Sequence, residues 1–196
     1  MKNLLYGSII LLLLFTNVSN SFCQNDYKER NWQIEVEPSL FLLKGYSFQI
    51  GRYLTESKRL NMALYSAAGN VPEILKQNIF SNLEVTDDLR IGLQIALNTR
   101  YRFNVFKDKE SNPYVGLITG WEYFSLNNSV KEELRIDVLL LTPYVGAEIY
   151  LYQNILYVNP QLRLVTYLNT KYSIKNRVEK VNSVLFLPQI SLGIRF

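Results

Sequence analysis

The sequence predicts an all-β fold, an eight-stranded antiparallel transmembrane β-barrel with up-and-down meander topology, preceded by a cleaved signal peptide. The first observation is a seventeen-residue segment, LRIGLQIALNTRYRFNV at 89–105, in which apolar and polar residues alternate. A period of two indicates a strand. Strands of globular proteins usually have about 3 to 10 residues, whereas a tilted strand needs about 9 to 11 to cross a bilayer. The second observation is that no segment after residue 24 is long and apolar enough for a membrane-spanning helix.

The third observation is a signal peptide at residues 1–23, which leaves 24–196 as one barrel domain. Lys2 supplies a positive start, residues 4–15 form a short apolar core, and a polar segment follows. Small residues at Ser21 and Cys23 suit cleavage after Cys23. Lipidation of Cys23 is the alternative, but Phe22 stands where a lipoprotein signal needs Gly or Ala.

Eight alternating segments predict the strands of the barrel. They cover 32–42, 46–54, 59–68, 89–105, 114–124, 134–152, 156–168 and 182–196. The pattern of the sixth segment changes along its length. Arg135 and Asp137, at odd positions, would face inward in its first part, and Gly146, Glu148 and Tyr150, at even positions, in its last part. We therefore expect a bulge near residues 139–143.

An even strand count places both termini at one end of the barrel, with the longer connections 70–88, 126–133 and 169–181 at the other. Pro72 and Glu73 favour a helix start in the connection 70–88. Ile74, Leu75, Ile79 and Phe80 would line one side of this helix. It could be a lid that contacts a ligand, or a helix that packs on the rim.

The composition excludes several kinds of chemistry. The chain has no histidine, which removes histidine-based catalysis and histidine metal sites, and its single cysteine lies in the signal peptide. Loss of Lys2 leaves 20 basic against 17 acidic residues, a charge of +3 that is too small to indicate a nucleic-acid partner. The acidic clusters Asp87–Asp88 and Glu132–Glu133 with Asp137 could run hydrolysis or hold Ca²⁺. Solvated charge is their ordinary explanation, so we predict no catalytic, cofactor or metal site and no enzyme.

The inward faces of the predicted strands carry nearly balanced charge. They include the acids Glu35, Glu37, Glu122 and Glu148 and the bases Arg90, Arg100, Arg102, Arg163 and Arg195. Because buried charge is costly unless it is paired, we expect an ion-pair network that closes the lumen, with Glu122 as the partner of Arg100. A narrow channel for small solutes or ions is the alternative, and an enzyme without histidine the third possibility.

The chain ends in PQISLGIRF, with Phe196 last and with Ile194 and Leu192 at alternate positions before it. This ending resembles the terminal strand of outer-membrane β-barrel proteins of Gram-negative bacteria, and the size and strand count resemble the small OmpA and OmpX type. A soluble calycin-like barrel would instead need its apolar face inside. The resemblance implies an outer-membrane location, a structural or surface-interaction role, and an assembly signal at Phe196, Ile194 and Leu192.

The resemblance also implies partners. Outer-membrane lipid and the barrel-assembly machinery are expected, and the basic loop 169–181 could contact lipopolysaccharide phosphates through Lys171, Lys175, Arg177 and Lys180. No nucleic acid is expected, and the sequence leaves the oligomeric state open.

Overall fold

The computed structural model describes residues 30–80, 88–103, 112–127, 133–152, 155–168, 171–174, 177–180 and 184–196. The predicted signal peptide lies outside these ranges. The strands are β1 (Trp32–Val36), β2 (Tyr46–Tyr53), β3 (Leu60–Asn70), β4 (Asp88–Arg102), β5 (Pro113–Asn127), β6 (Glu133–Ala147), β7 (Ile149–Tyr152), β8 (Leu156–Tyr167), β9 (Lys171–Ile174), β10 (Arg177–Lys180) and β11 (Val184–Arg195). The helices are α1 (Pro38–Leu42) and α2 (Glu73–Ile79).

The strands close into a single barrel. Each strand from β1 to β5 pairs antiparallel with the next. β6 then pairs with β8, β8 with β11, and β11 with β1. β7 resumes β6 after Glu148 and pairs with the same neighbour, β8, so the two count as one barrel strand. The result is the predicted eight-stranded antiparallel meander. Strands β9 and β10 form a separate hairpin in the connection between β8 and β11.

Both ends of the described chain meet at one end of the barrel, called here the terminal end. The Trp32 amide donates to the Phe196 carbonyl and the Phe196 amide donates to the Trp32 carbonyl, each at 2.9 Å. The opposite end, which carries α2 and the β9–β10 hairpin, is called the loop end. No helix in the described part of the chain is long and apolar enough to span a membrane.

The outer face of the barrel is apolar, as the alternation predicts. Large apolar side chains point outward from every side of the barrel, including Phe48 on β2, Leu64 on β3, Ile95 and Leu97 on β4, Leu117 on β5, Leu139 on β6, Leu162 on β8 and Phe186 on β11. A soluble monomer rarely exposes a contiguous apolar patch of more than a few hundred Å². This surface therefore requires an apolar partner that surrounds the barrel.

The interior changes character along the barrel axis. Polar and charged side chains fill the terminal half, whereas an apolar core fills the loop end, with Leu89, Phe124, Ile136 and Val138 each at most 3% exposed. Phe80, which follows α2, packs edge-on against Phe124 with ring centroids 5.4 Å apart. The loop end is thus apolar on both faces of the wall.

This apolar core explains an error in the predicted phase of β4. The register between β4 and β5 shifts between Ile91 and Leu93, at Gly92, so the strand changes face there. Beyond the shift Leu89 is fully buried and Ile91 packs on the core, while Arg90 is exposed. The predictions of Arg90 in the lumen and Ile91 on the outer face are therefore wrong. Ile95 to Phe103 keep the predicted phase.

The bulge expected in the sixth strand is absent, because β5 and β6 pair without a register shift along the whole of β6. Arg135 and Asp137 face outward, where they form an exposed ion pair of 3.0 Å. Ile136 and Val138 face the interior instead. The two phases inferred from the sequence came from assuming a polar interior throughout.

The first strand is shorter than predicted. It ends at Val36, and Pro38 begins α1, which places Leu40 inward and exposes Phe41 and Leu42 on the outer face. Proline favours the first helical turn because its missing amide would have no partner there. α1 thus replaces the outer part of β1 in the barrel wall.

The helix predicted in the connection 70–88 is present as α2. Ile79 and Phe80 are buried and Leu75 packs against the core, but Ile74 is 80% exposed and does not belong to the buried side. α2 covers the loop end of the interior.

Gly92 is a position where a side chain has no room, because a Cβ there would overlap the ring of Tyr123 on β5. We expect Gly92→Val to lower the free energy of unfolding by about 1–3 kcal/mol, the usual cost of overpacking. Denaturant titration in lipid vesicles measures this change. The double variant Gly92→Val/Tyr123→Ala should recover part of the loss. A double variant as unstable as the sum of both single variants would contradict the account.

Candidate functional site

Glu35 is the most connected acid of the lumen. It lies on the inward face of β1 and is 2% exposed. Arg100 of β4 binds both carboxylate oxygens through its terminal nitrogens, with Nη2 at 2.8 Å from Oε2. The Tyr157 hydroxyl (2.8 Å) and the Ser191 hydroxyl (2.9 Å) also donate to it, as does the Asn159 amide at 3.2 Å. One carboxylate therefore links four strands.

Arg100 extends this cluster across the barrel. Its Nε donates to the Tyr144 hydroxyl at 2.7 Å, and that hydroxyl donates to Asn98 Oδ1 at 2.6 Å. The Asn98 amide in turn donates to Gln49 at 2.8 Å. Tyr114 donates to Asn159, which closes the chain of bonds from the other side. Hydrogen bonds thus cross the lumen from β1 to β6.

A second cluster lies at the end of β1. Glu37 accepts from Arg163 Nη2 at 2.5 Å, from the Gln189 amide at 3.0 Å and from the Tyr65 hydroxyl at 3.2 Å. Arg163 Nε donates to Gln161 at 2.9 Å. Glu37 therefore joins β1 to β3, β8 and β11 just below α1.

A third cluster fills the terminal end. Glu148, at the break between β6 and β7, accepts from Arg195 Nη2 at 2.7 Å, Tyr53 at 2.8 Å and Tyr150 at 3.0 Å. Arg102 forms a looser ion pair with the same carboxylate, at 3.6 Å. We call the three clusters around Glu35, Glu37 and Glu148 the polar plug.

The structure buries all but one of the predicted lumen residues. Those with at most 6% exposure are Glu35, Glu37, Glu122, Glu148, Arg100, Arg102, Arg163 and Arg195, and only Arg90 faces outward. The predicted pair of Arg100 with Glu122 is wrong. Arg100 lies opposite Gly116 and Glu122 opposite Gln94, six residues away, which is about 20 Å along a strand.

The sequence analysis placed Tyr150 on the inward face, but it did not predict that plug tyrosines lie opposite glycines. Tyr144 lies directly opposite Gly116, and Tyr157 directly opposite Gly193, and in each pair a Cβ on the glycine would overlap the tyrosine ring. Each ring covers the backbone of its glycine partner. Inward glycines among tyrosine-rich strands are the signal that could have indicated these pairs.

The other predicted sites differ in outcome. Asp137 contacts Arg135 on the outer face, while Asp87 and Glu132 lie outside the described residues. In the ranges that the structure covers, no three His, Cys, Asp or Glu residues cluster as a metal site. Leu192 and Phe196 of the predicted assembly signal point outward, and Ile194 pairs with Ile34 of β1.

Comparison with known proteins identifies the fold. No protein-family model matches the sequence, and no curated protein sequence matches it. The structure is similar to the N-terminal β-barrel domain of Pseudomonas aeruginosa OprF, with TM-score 0.54, 15% identity, and 85% of this chain and 98% of that chain covered. It is also similar to Neisserial surface protein A (TM-score 0.52, 14% identity, 84% and 94% covered). A third similar barrel is a major outer membrane protein of Thermus thermophilus (TM-score 0.50, 12% identity, 86% and 100% covered).

The burial of the Glu35–Arg100 pair predicts a large loss when one partner is removed. Arg100→Met should lower the free energy of unfolding by about 3–5 kcal/mol, because Glu35 is left as an uncompensated buried charge. The double variant Glu35→Gln/Arg100→Met should lose much less than the sum of the single variants. Denaturant titration of all four proteins in vesicles gives this coupling.

Two matched pairs serve as controls. Arg135 and Asp137 form an ion pair of the same type with side chains 57% and 48% exposed, so Arg135→Met should lower the free energy of unfolding far less than Arg100→Met. Arg100 and Glu122 should show little coupling, since they do not meet. Strong coupling between Arg100 and Glu122, and none between Arg100 and Glu35, would contradict the observed register.

Proposed function

We propose that the chain is an integral outer-membrane barrel whose outer face contacts lipid. The apolar outer surface supports this proposal, since soluble monomers rarely expose apolar surface on every side to water. The similar barrels support it as well, because two of the three are by name a surface protein and an outer membrane protein. In this proposal Phe196, Ile194 and Leu192 are read by the barrel-assembly machinery after cleavage of residues 1–23.

The lumen of this barrel is closed to solutes, and the role is structural or surface-interacting without catalysis. The observation that carries this part is the polar plug, in which three carboxylates of the terminal half are each bound by an arginine and by at least two further donors. The interior of an eight-stranded barrel is just wide enough to be filled by side chains or to hold one small ligand. A solute could pass only if these buried charges were separated.

The surface role belongs to the loop end. The β9–β10 hairpin pairs Lys171 with Lys180 in register, so two cationic residues occupy opposed positions of the ladder, and a third, Arg177, lies opposite Ile174. Like charges directly opposite each other are unfavourable without an anion. Lipopolysaccharide phosphate is the anion we propose. Lys175, which was predicted to take part, lies outside the described residues.

The lipid-facing surface predicts that the cost of a charge depends on its depth. Ile95 is 46% exposed near the middle of β4, and Val184 is 50% exposed where β11 begins at the loop end. Ile95→Arg should cost about 2–4 kcal/mol of folding free energy in vesicles, and Val184→Arg about 0–1 kcal/mol. Equal costs, or recovery of the unmodified protein in a soluble fraction without detergent, would refute the membrane location.

The closed lumen predicts that the purified protein shows no stable open level in planar lipid bilayers. The double variant Glu35→Ala/Arg100→Ala removes the centre of the plug and should give brief current steps. Arg135→Ala/Asp137→Ala removes an outer ion pair and should remain silent. Reproducible open levels in the unmodified protein would favour the competing function, a narrow channel for small solutes or ions.

A further inference from the structure

A partly open cavity lies between the polar plug and α2, and we call it the loop-end cavity. Its volume is about 230 Å³. Aliphatic side chains from both helices and from several strands line it, among them Leu40, Leu75, Ile79, Ile118, Val165 and Leu187. An engineered apolar cavity of about 150 Å³ is known to hold benzene. The loop-end cavity therefore has room for an apolar molecule larger than a benzene ring.

Two buried polar groups in the cavity wall have free hydrogen-bonding capacity. Glu122 Oε1 and Thr142 Oγ1 have no hydrogen-bond partner among the described residues, although their side chains are only 3% and 2% exposed. Tyr167 is a hydrogen-bond partner of the Glu122 carboxyl group. The arginine in the cavity wall, Arg163, is bound to Glu37. A ligand whose head forms a hydrogen bond with Glu122 would satisfy this buried oxygen.

The barrel wall beside the cavity is incomplete. β11 pairs with β1 only from Leu192 to Arg195, so its outer part, 184–191, has no strand on that side. α1 occupies the position of the missing strand, and within the described chain no backbone hydrogen bond joins α1 to β11. The Gln189 side chain reaches across to Glu37 instead.

The cavity extends to this gap. Ser39 of α1 and Pro188 of β11 both belong to its lining, although Pro188 is an outward position of its strand. Phe41 and Leu42 stand exposed on the outer side of α1. The cavity therefore reaches the gap between α1 and β11, next to the exposed apolar side chains of α1.

We propose that the loop-end cavity binds a small amphiphile with an aliphatic body and a hydrogen-bond-donating head, an alcohol or an amine, which enters from the bilayer through the gap between α1 and β11. The head donates to Glu122 and the body lies against Ile118 and Leu187. This function goes beyond the closed, surface-interacting barrel and does not depend on conductance. The two functions are tested by different measurements, conductance for the closed lumen and octanol binding for the cavity, so either can fail without the other.

Methyl NMR of the full mature chain in lipid nanodiscs, with 1-octanol as the probe, tests the site. We expect saturable shifts and nuclear Overhauser contacts from octanol to the Ile118 and Leu187 methyl groups. Sodium octanoate has the same body but a carboxylate head that would lose its hydration in a cavity whose arginine, Arg163, is already bound to Glu37, so its apparent affinity should be at least tenfold lower. Glu122→Leu should weaken octanol binding about tenfold while leaving the cavity in place.

A neighbouring pair of residues separates the cavity from the bilayer. Ile118→Trp fills the cavity and should abolish the octanol contacts, whereas Leu117→Trp adds the same ring on the outer face and should preserve them. Val165→Phe, on β8, replaces Ile118→Trp if that variant does not fold. Contacts that spread over outer methyl groups such as Leu97, and that survive both filling variants, would show partitioning into lipid and overturn the site.

A cross-link tests the route. The mature chain has no cysteine, so Ser39→Cys/Pro188→Cys can be joined by a short bismaleimide without side reactions. Joining α1 to β11 should slow octanol exchange at least tenfold relative to the same variant before linking. Unchanged exchange would overturn lateral entry and place the entrance under α2.

Discussion

The fold depends on the need to pair the buried charge of Glu35. An acid on β1 receives Arg100 from β4, Tyr157 and Asn159 from β8, and Ser191 from β11, so the first and last barrel strands share one acceptor. β1 itself contributes few backbone pairs, because it ends at Val36. Side-chain bonds to Glu35 and Glu37 therefore hold the closing strands together where the ladder is short. The side chains of the interior thus contribute to closure of the barrel wall.

The terminal half of the barrel could be predicted from the sequence because its polar residues alternate with apolar ones and its interior is polar. Alternation assigns Asn98 and Arg100 to one face, Leu97 and Tyr101 to the other, and the structure follows. At the loop end the assumption of a polar interior fails, since Leu89, Ile136 and Val138 fill it. Alternation gives the period of a strand, but it cannot say which face is inside when both faces are apolar.

The partners in the polar plug were beyond reach of the sequence for a different reason. Contacts such as Arg100 with Glu35 cross the lumen and join positions 65 residues apart, so they depend on register and on barrel closure. The register shift at Gly92 and the helix α1 each change the barrel wall over only a few residues, too few to produce a periodic pattern in the sequence. Pro38 marks the start of α1, yet proline is also common at strand edges. The near-balance of inward charges could be predicted from the sequence, but the ion-pair partners could not.

The apolar filling of the loop end has a consequence for the chain before it reaches lipid. Leu139 is 52% exposed on the outer face, Leu140 is buried inside, and Leu141 follows directly, so this part of β6 has no polar face. Before folding, an amphipathic strand still has one polar face that water can solvate. This segment cannot, and in water it is an edge for intermolecular β-pairing. In the proposed membrane location, the chain would need a carrier that shields both faces of this segment, or insertion faster than self-association.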